Sequence, residues 1–490
     1  MNGRGESDAL RVSRKSSKEG GQPLDEGMER KGATEGISTQ DDTLQAQDWE
    51  GVQHALDRVR QAAKRDRKLR FTSLYHHIYN IHALRKAFSL LKRKAAPGVD
   101  GETWDSYRQN LEANLQDLSE RLKRQAYRAK PVKRRYIPKA DGRLRPLGIT
   151  VLEDKIVQKA AVMVMEAIYE VDFCGQSYSY RPGRQPHNAL DDLYVQLYRK
   201  RVNWVLDADI CGFFDAVDHE WMMKFCEHRI ADTRLLRLLR KWLKAGVMEE
   251  GQVRDSDLGT PQGGVVSPLL ANVYLHYVFD LWTIAWRRDC AKGQMYFVRY
   301  ADDIVTMFER EEDSKRYWHD LNERMIAFGL QLHPDKTRLI EFGRKAASNR
   351  ARKGQKKPET FNFLGFKHIC GETLGGMFTI FRNPIPERFT AKLKSVAQVL
   401  RTRMHTSPRK VGVWLGQVLR GYINYFGVPM NSRALGVFRQ TIAWYWYRTL
   451  KRRSQRHKVT SGQMKWLVAT YLPPVRIVHP YPTQRFGVIT

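Results

Sequence analysis

Two stretches of the chain carry the sharpest apolar patterning. Met295 to Phe308, MYFVRYADDIVTMF, consists of two apolar, β-branched and aromatic runs with Ala301, Asp302 and Asp303 between them. A period of two predicts a strand for each run, and the three intervening residues fall where a hairpin would reverse. Asn203 to Phe214, NWVLDADICGFF, reads as a buried strand that ends in acids and a glycine, followed by paired aromatics. Elsewhere the period lengthens to that of a helix. Leu56, Val59 and Ala63 form one such stripe, and Leu74, Ile78, Ile81, Leu84, Phe88 and Leu91 the next. Leu111 to Leu122 and Leu152 to Tyr169 are two more helices. Leu270, Val273, Tyr274, Tyr277 and Leu281 make the apolar face of a long helix, with Ser267 expected as N-cap and Pro268 at the first helical position.

Three further stripes follow. They are Phe389, Leu393, Val396 and Leu400; then Leu415, Val418, Leu419, Tyr422 and Phe426, stopped by Gly427; then Leu435, Phe438, Ile442 and Tyr445. Three amphipathic helices joined by short polar turns predict a small bundle. Met1 to about Glu50 has scarcely an apolar cluster, too little to offset chain entropy, and is expected to be disordered.

Composition narrows the partners. The 490 residues suffice for two or three domains, and 84 Lys+Arg against 53 Asp+Glu give a formal charge of +31. Such a balance points to a polyanion, nucleic acid first. A membrane surface is the competitor, but the longest apolar run, Gly263 to Trp286, is broken by Pro268 and Asp280. No apolar leader directs export, so a cytoplasmic protein with no membrane partner is expected. The cysteines, Cys174, Cys211, Cys226, Cys290 and Cys370, are scattered and form no CxxC pair, which argues against disulfides and structural zinc.

The acids decide the chemistry. Two adjacent carboxylates at a hairpin tip repel each other unless a cation stands before them, and a hard divalent ion with oxygen ligands is the usual solution. A solvated turn is the plain alternative, since Asp favours turns. Asp209, delivered at the end of the other strand, tips the balance. Beside Asp302 and Asp303 it would complete what two Mg²⁺ ions need to clamp the attacking and leaving oxygens of a phosphoryl transfer. Basic segments surround this pattern. In Lys130 to Arg145, KPVKRRYIPKADGRLR, a hairpin turn is flanked by Lys139 and Arg145, able to meet a triphosphate or a nucleic-acid backbone. Ser177 to Asn188, SYSYRPGRQPHN, sets Arg181 and Arg184 around a Pro-Gly turn. Near the last stripe, Arg448, Lys451, Arg452, Arg453 and Arg456 cluster with Trp444 and Trp446. Charge there supplies salt-sensitive phosphate binding, and exposed rings can stack on unpaired bases, although a tryptophan in a helix is more often core.

YADD at Tyr300 to Asp303, with LDADICGFFD before it and GTPQGGVVSPLLANVYL between, resembles the palm of a reverse transcriptase, specifically a group II intron-encoded reverse transcriptase/maturase. The similarity runs from about Arg65 onward with its motifs in family order. It implies an α+β right-hand polymerase: a disordered extension over 1–50, a helical extension and the start of the fingers over 51–130, fingers and palm over 131–367, a thumb/maturase bundle over 385–460 and a DNA-contacting tail over 461–490. The implied activity is RNA-directed DNA synthesis with two Mg²⁺ ions held by Asp209, Asp302 and Asp303. Lys139, Arg145, Phe214, Gln262 and Tyr300 are implied to contact the nucleotide. Phe214, five positions after Asp209, stands where the family sets an aromatic ring against the sugar, excluding a ribose 2′-OH. Lys336 is a candidate general acid, a surface cation being equally plausible there.

By the same resemblance Arg181 and Arg184 contact the template backbone, although Arg181 equally fits a buried ion pair. Arg448, Lys451, Arg452, Arg453 and Arg456 bind intron RNA. Phe361 to Phe366, FNFLGF, is similar to the strand motif that closes the palm, and APGVDG within Ala95 to Thr103 is a family marker. The departures are Cys211, where relatives carry Lys, and Ser179 with Tyr180, where they carry Gly-Phe. No HNH endonuclease module with paired cysteines follows, so bottom-strand cleavage is not expected. Intron RNA, an RNA template with a DNA primer, target DNA and dNTPs are the implied partners. The competing readings are a splicing maturase with an inactive palm and a stand-alone reverse transcriptase serving host defence.

Overall fold

The structure is a computed structural model that describes residues 39–138, 144–249, 252–254, 259, 263–355, 357–373, 375–453 and 459–486. The expectation for residues 1–38 lies outside that set. Thr39–Arg65 is one helix, so part of the stretch expected to be disordered belongs to it; Val52, Leu56, Val59 and Ala63 are buried and anchor it. The chain divides into two compact units. The larger comprises Ile37–Thr390, Val428–Asn431 and His479–Thr490; the described part of the smaller comprises Ala391–Gly427 and Ser432–Val478. None of the helices among the described residues is long and apolar enough to cross a membrane.

In the larger unit the strands are β1 (Val132–Pro138), β2 (Leu144–Ile149), β3 (Trp204–Asp209), β4 (Val247–Glu249), β5 (Gln252–Arg254) and β6 (Met295–Tyr300). They continue as β7 (Asp303–Phe308), β8 (Arg338–Glu341), β9 (Phe361–Phe363), β10 (Phe366–Glu372) and β11 (Phe378–Pro384). Among the described residues these strands form three sheets, in the orders β2-β1-β4-β5, β6-β7-β3-β8 and β11-β10-β9. The second is antiparallel throughout and lies in the core, and Ile304 to Phe308 of β7 are all buried. A strand covered on both faces reads as a continuous apolar run, which is why IVTMF does not alternate.

Helices supply the cover. Leu152–Asp172 is buried along most of its surface and packs against Thr39–Arg65, Tyr75–Tyr79 and Ile81–Ser89. The helix after the glycine motif runs Ser267–Leu275, passes through a π turn at His276–Asp280 and continues as Leu281–Asp289. Its N-cap is Val266, not the expected Ser267, which is buried as the first helical residue. Asp280, the last residue of the π turn, is fully buried, as are the polar Asn272, His276 and Thr283 of the same run.

The smaller unit contains the helices Pro408–Phe426, Ser432–Arg452 and Ser461–Tyr471, with most of Pro386–Thr402. Leu393, Val396, Leu400, Leu415, Leu419, Leu435, Phe438 and Ile442 are its core, as their spacing predicts. The third stripe turns inward one residue later than expected: Trp446 is fully buried and Tyr445 only half-buried. Ser461–Tyr471, within the stretch expected to be a tail, is a further helix that packs on Pro408–Phe426. Gly412 allows this, because a Cβ there would stand 2.6 Å from the Tyr471 ring.

Candidate functional site

The register of the buried sheet brings the acids together. β3 and β7 pair Leu206 with Thr306, Ala208 with Ile304 and Asp209 with Asp303, while β6 pairs Tyr300 with Asp303. Asp209 therefore lies opposite Asp303 on the ladder, and Asp302 occupies the turn one residue before it. The reversal is tighter than the sequence suggests, with only Ala301 and Asp302 between the strands. Ala301 takes φ +56°, the left-handed backbone that a two-residue hairpin asks of its first position.

These carboxylates crowd one another. Surrounding protein, then the charges of Asp302, Asp209 and Asp207, push the Asp303 carboxyl up to about 7, although the residue still meets solvent. Asp207 is likewise pushed up to about 7, first by burial and then by Asp209, with Arg338 at 3.7 Å opposing. Asp209 has a cationic neighbour, since Lys336 Nζ donates to its Oδ2 at 2.6 Å. The His333–Thr337 segment holds that lysine in place: the His333 amide donates to Asp209 O at 2.7 Å and the Asp209 amide to Thr337 Oγ1 at 3.4 Å. The three acids do not form a tight single-ion cage. Among the described residues only His319, Asp320 and Glu323, at a helix surface, bring three ligand atoms within 4.8 Å of one another.

A buried network fixes the hairpin. Arg299, fully buried in β6, donates from Nε and Nη2 to Asp280 at 2.7 Å each, and from Nη1 to Asn272 Oδ1 at 3.1 Å and Ala301 O at 3.2 Å. Burial alone would raise the Asp280 carboxyl, but the Arg299 guanidinium holds it below the usual range. Sequence reasoning missed this pair, and the signal was present: Asp280 interrupts the apolar run Gly263–Trp286, and Arg299 the apolar strand Met295–Tyr300. The 174–184 segment docks on the same strand, with the Tyr178 amide donating to Arg299 O at 3.0 Å and the Arg299 amide to Gln176 O at 2.9 Å. Asn272 Nδ2 donates to Ser179 O at 2.7 Å.

Arg181 is buried and its donors face inward, to Glu170 at 3.0 Å and to the carbonyls of Cys174 and Ser177 at 2.7 and 2.8 Å. This is the ion pair that the sequence left open. Arg184, half-buried, donates to Ser177 O at 3.1 Å and lies 5.1 Å from the Tyr178 ring centroid. Tyr300 is half-buried, and burial with Tyr180 nearby raises its hydroxyl pKa.

The aromatic pair follows Gly212, whose φ of +50° starts the one-turn helix Phe213–Ala216. Phe213 points into the core against Tyr274, while Phe214 is half-buried. Gly259 and Gly263, which bracket TPQ in the sequence, are both closely packed. A Cβ on Gly259 would lie 2.9 Å from Phe214 O, and one on Gly263 would lie 2.5 Å from Gly148 O in β2. Gly259 thus abuts the Phe214 turn, and Gly263 abuts β2. Gln158 Oε1 then receives the Val265 and Val266 amides at 2.8 and 3.3 Å. Lys139, Gln262, Arg456 and the Arg145 side chain lie outside the described residues.

In the smaller unit, Trp444 is exposed and carries Arg448 4.6 Å above its ring, while Lys451 lies 4.8 Å from the Tyr447 ring. Arg452 is exposed, and Arg453 donates to Thr406 O at 3.3 Å. Of the two tryptophans, Trp446 is core and Trp444 faces solvent.

Comparison with known proteins agrees with this geometry. Residues 137–368 match the family model for reverse transcriptase (RNA-dependent DNA polymerase). Protein YkfC of Escherichia coli K12 is 34% identical over 298 residues, covering 53% of this chain and 78% of that protein. The group II intron-encoded protein LtrA of Lactococcus lactis subsp. cremoris is 34% identical over 225 residues, 45% of this chain and 37% of LtrA. An uncharacterized 91 kDa protein in the cob intron of Schizosaccharomyces pombe is 38% identical over 162 residues, 33% of this chain and 20% of that protein. The chain thus spans most of YkfC but well under two thirds of the intron-encoded relatives.

Proposed function

Because the chain belongs to the reverse transcriptase family, and within it to the group II intron-encoded reverse transcriptases/maturases, we propose that it is an RNA-directed DNA polymerase that also binds its intron RNA, assists splicing and copies the intron into DNA. The observation that carries this reading is the pairing of Asp209 with Asp303, one residue from Asp302, at one open end of a buried sheet. Asp209, Asp302 and Asp303 are hard oxygen donors, and the crowding that raises Asp303 is what divalent cations relieve, so the residues fit two Mg²⁺ ions. Bound there, the ions would supply charge stabilisation for the attacking 3′ oxygen and the leaving pyrophosphate.

The remaining roles belong to the chain's own side chains. Phe214, anchored by Phe213 and the close-packed Gly259, presents a ring to the sugar and offers a 2′-OH no hydrogen bond. Lys336, beside Asp209, is positioned to give a proton to the leaving pyrophosphate, a contribution of about 10²- to 10⁴-fold where general acids operate. Lys139, Arg145, Gln262 and Tyr300 contact the incoming nucleotide in this reading. Arg448, Lys451 and Arg452 hold intron RNA, with Trp444 available for stacking. An RNA template, a DNA primer, dNTPs and target DNA are the substrates.

The test is primer extension on an RNA template with Mg²⁺ and dNTPs. DNA product that disappears on chelation is the expected result; no product at any divalent-ion concentration contradicts the reading. Phe214→Ala is expected to raise ribonucleotide incorporation, and continued exclusion would remove the steric role.

A further inference from the structure

The described chain after Val478 belongs to the larger unit and packs on the Pro186–Arg199 helix through a short helix, Pro482–Phe486. At that contact one buried carboxylate serves two guanidinium groups. Asp191 Oδ1 accepts from Arg382 Nη1 of β11 at 3.0 Å, and its Oδ2 lies 3.2 Å from Arg485 Nη1. The other arm of Arg485 lies 2.8 Å from His479 Nδ1, and the His479 ring stacks on His187 with centroids 3.8 Å apart and planes 18° off parallel. Arg382, itself buried, already balances the Asp191 charge. The second arginine therefore adds a geometric tie between the 479–486 segment and the helix, beyond neutralising Asp191.

From that helix a short chain of contacts reaches the acids. Asp192, the next residue, accepts from Tyr178 Oη at 2.8 Å, and the Tyr178 amide donates to Arg299 O at 3.0 Å. Arg299 precedes Tyr300 by one residue and Asp302 by three. The same helix packs directly on β6, and Lys200, just past its end, lies 5.7 Å from the Tyr296 ring centroid. Two successive aspartates on one helix thus face two tasks, Asp191 toward the returning segment and Asp192 toward the strand that carries the hairpin.

We propose that Arg485 is a positioning residue for the Tyr300–Asp303 hairpin: by holding Asp191 it seats the Pro186–Arg199 helix against β6, so that Tyr178 keeps Arg299 and the acids beyond it in place. This inference rests on the polymerase reading and gives the 479–486 segment an internal role in place of the DNA contact expected of it. Arg485 spends its two arms on Asp191 and His479. Lysine in its place could serve one of them only.

The experiment compares full-length wild type, Arg485→Ala, Arg485→Lys and Tyr178→Phe in primer extension on RNA, with template–primer affinity and backbone hydrogen exchange measured on the same samples. For Arg485→Ala the expected result is a fall in kcat of about tenfold, the scale of a small misplacement of reacting groups, with the dNTP KM and template affinity within about twofold of wild type. Arg485→Lys should recover part of the loss. The Tyr178 and Arg299 amides should exchange faster in Arg485→Ala, a readout that does not depend on activity. An unchanged kcat, or equal losses in kcat and affinity with lysine no better than alanine, overturns the proposal. Should Arg485→Ala fail to fold, Tyr178→Phe decides: a loss confined to kcat supports the path and wild-type kcat refutes it. An inactive wild type would count against the polymerase reading alone, leaving the exchange measurement to judge this one.

Discussion

Asp280 and Asp303 are held by neighbouring parts of one sheet and its covering helix, yet their surroundings treat them in opposite ways. Asp280 is fully buried, gripped by both arms of Arg299, and its pKa is lowered. Asp303 is pushed up to about 7, first by the surrounding protein and then by Asp302, Asp209 and Asp207. The first arrangement spends its charge inside the protein, where it fixes the backbone around Ala301. The second gathers carboxylates at one edge of the sheet with fewer cations than acids, Lys336 meeting Asp209 and Arg338 meeting Asp207. Support and crowded acids thus sit a few residues apart, and the Arg299–Asp280 pair, through its bond to Ala301 O, steadies the strand end that carries the carboxylates.

The largest way to break the contrast is Arg299→Leu. Removing one partner strands a buried carboxylate, and about 3–5 kcal/mol of stability should be lost, seen as a large fall in the urea midpoint. A midpoint near wild type would mean that the pair does not support the hairpin. Next is His368, a buried group kept neutral instead of paired, whose pKa burial and Arg382 lower to about 3. An unfolded histidine titrates near 6.5, so below that pH the unfolded chain takes up a proton that the folded one refuses. Stability is therefore full above about 6.5 and falls as pH drops, by up to about 2 kcal/mol between pH 7 and 5 at about 1.4 kcal/mol per unit. His368→Phe should remove about that much of the wild-type acid sensitivity in urea titrations at the two pH values; an identical loss in both proteins contradicts the assignment.

The smallest expected effect is on Asp303. Its raised pKa means that ionisation costs stability in the metal-free protein, so stability should decline as pH rises from about 4 to about 7. Asp303→Asn should then leave the metal-free protein equally or slightly more stable at pH 8 in urea titration, by under about 1 kcal/mol because the residue is exposed and screened. A clear destabilisation would show that Asp303 is a supporting group like Asp280.

The sequence disclosed the local pieces better than the ties between them. The apolar, β-branched and aromatic runs MYFVRY and IVTMF and the stripes of the smaller unit correspond to the observed strands and helices, because runs and stripes alike report which positions are buried. The proximity of Asp209 to Asp302 and Asp303 came from motif order, and the register supplies its geometry. What stayed hidden is long-range pairing. Arg299 and Asp280 look like isolated blemishes in apolar runs until the fold sets them face to face, and Arg485 is one residue of a tail expected to contact DNA until Asp191 is found opposite it. Arg181 had two readings at the sequence level, and only the carbonyls around its guanidinium choose between them. The Ser461–Tyr471 helix was missed because its buried side, Met464 and Leu467, is too short to show a period.

The central claim is that the three crowded carboxylates exist to make DNA on an RNA template. Its most direct measurement is primer extension by Asp302→Asn beside wild type, with template–primer affinity determined for both. DNA synthesis is expected to fall by about three orders of magnitude or more, as when a group acting only on the transition state is removed, while affinity stays near wild type. Asp302→Asn protein that extends primers at the wild-type rate would contradict it.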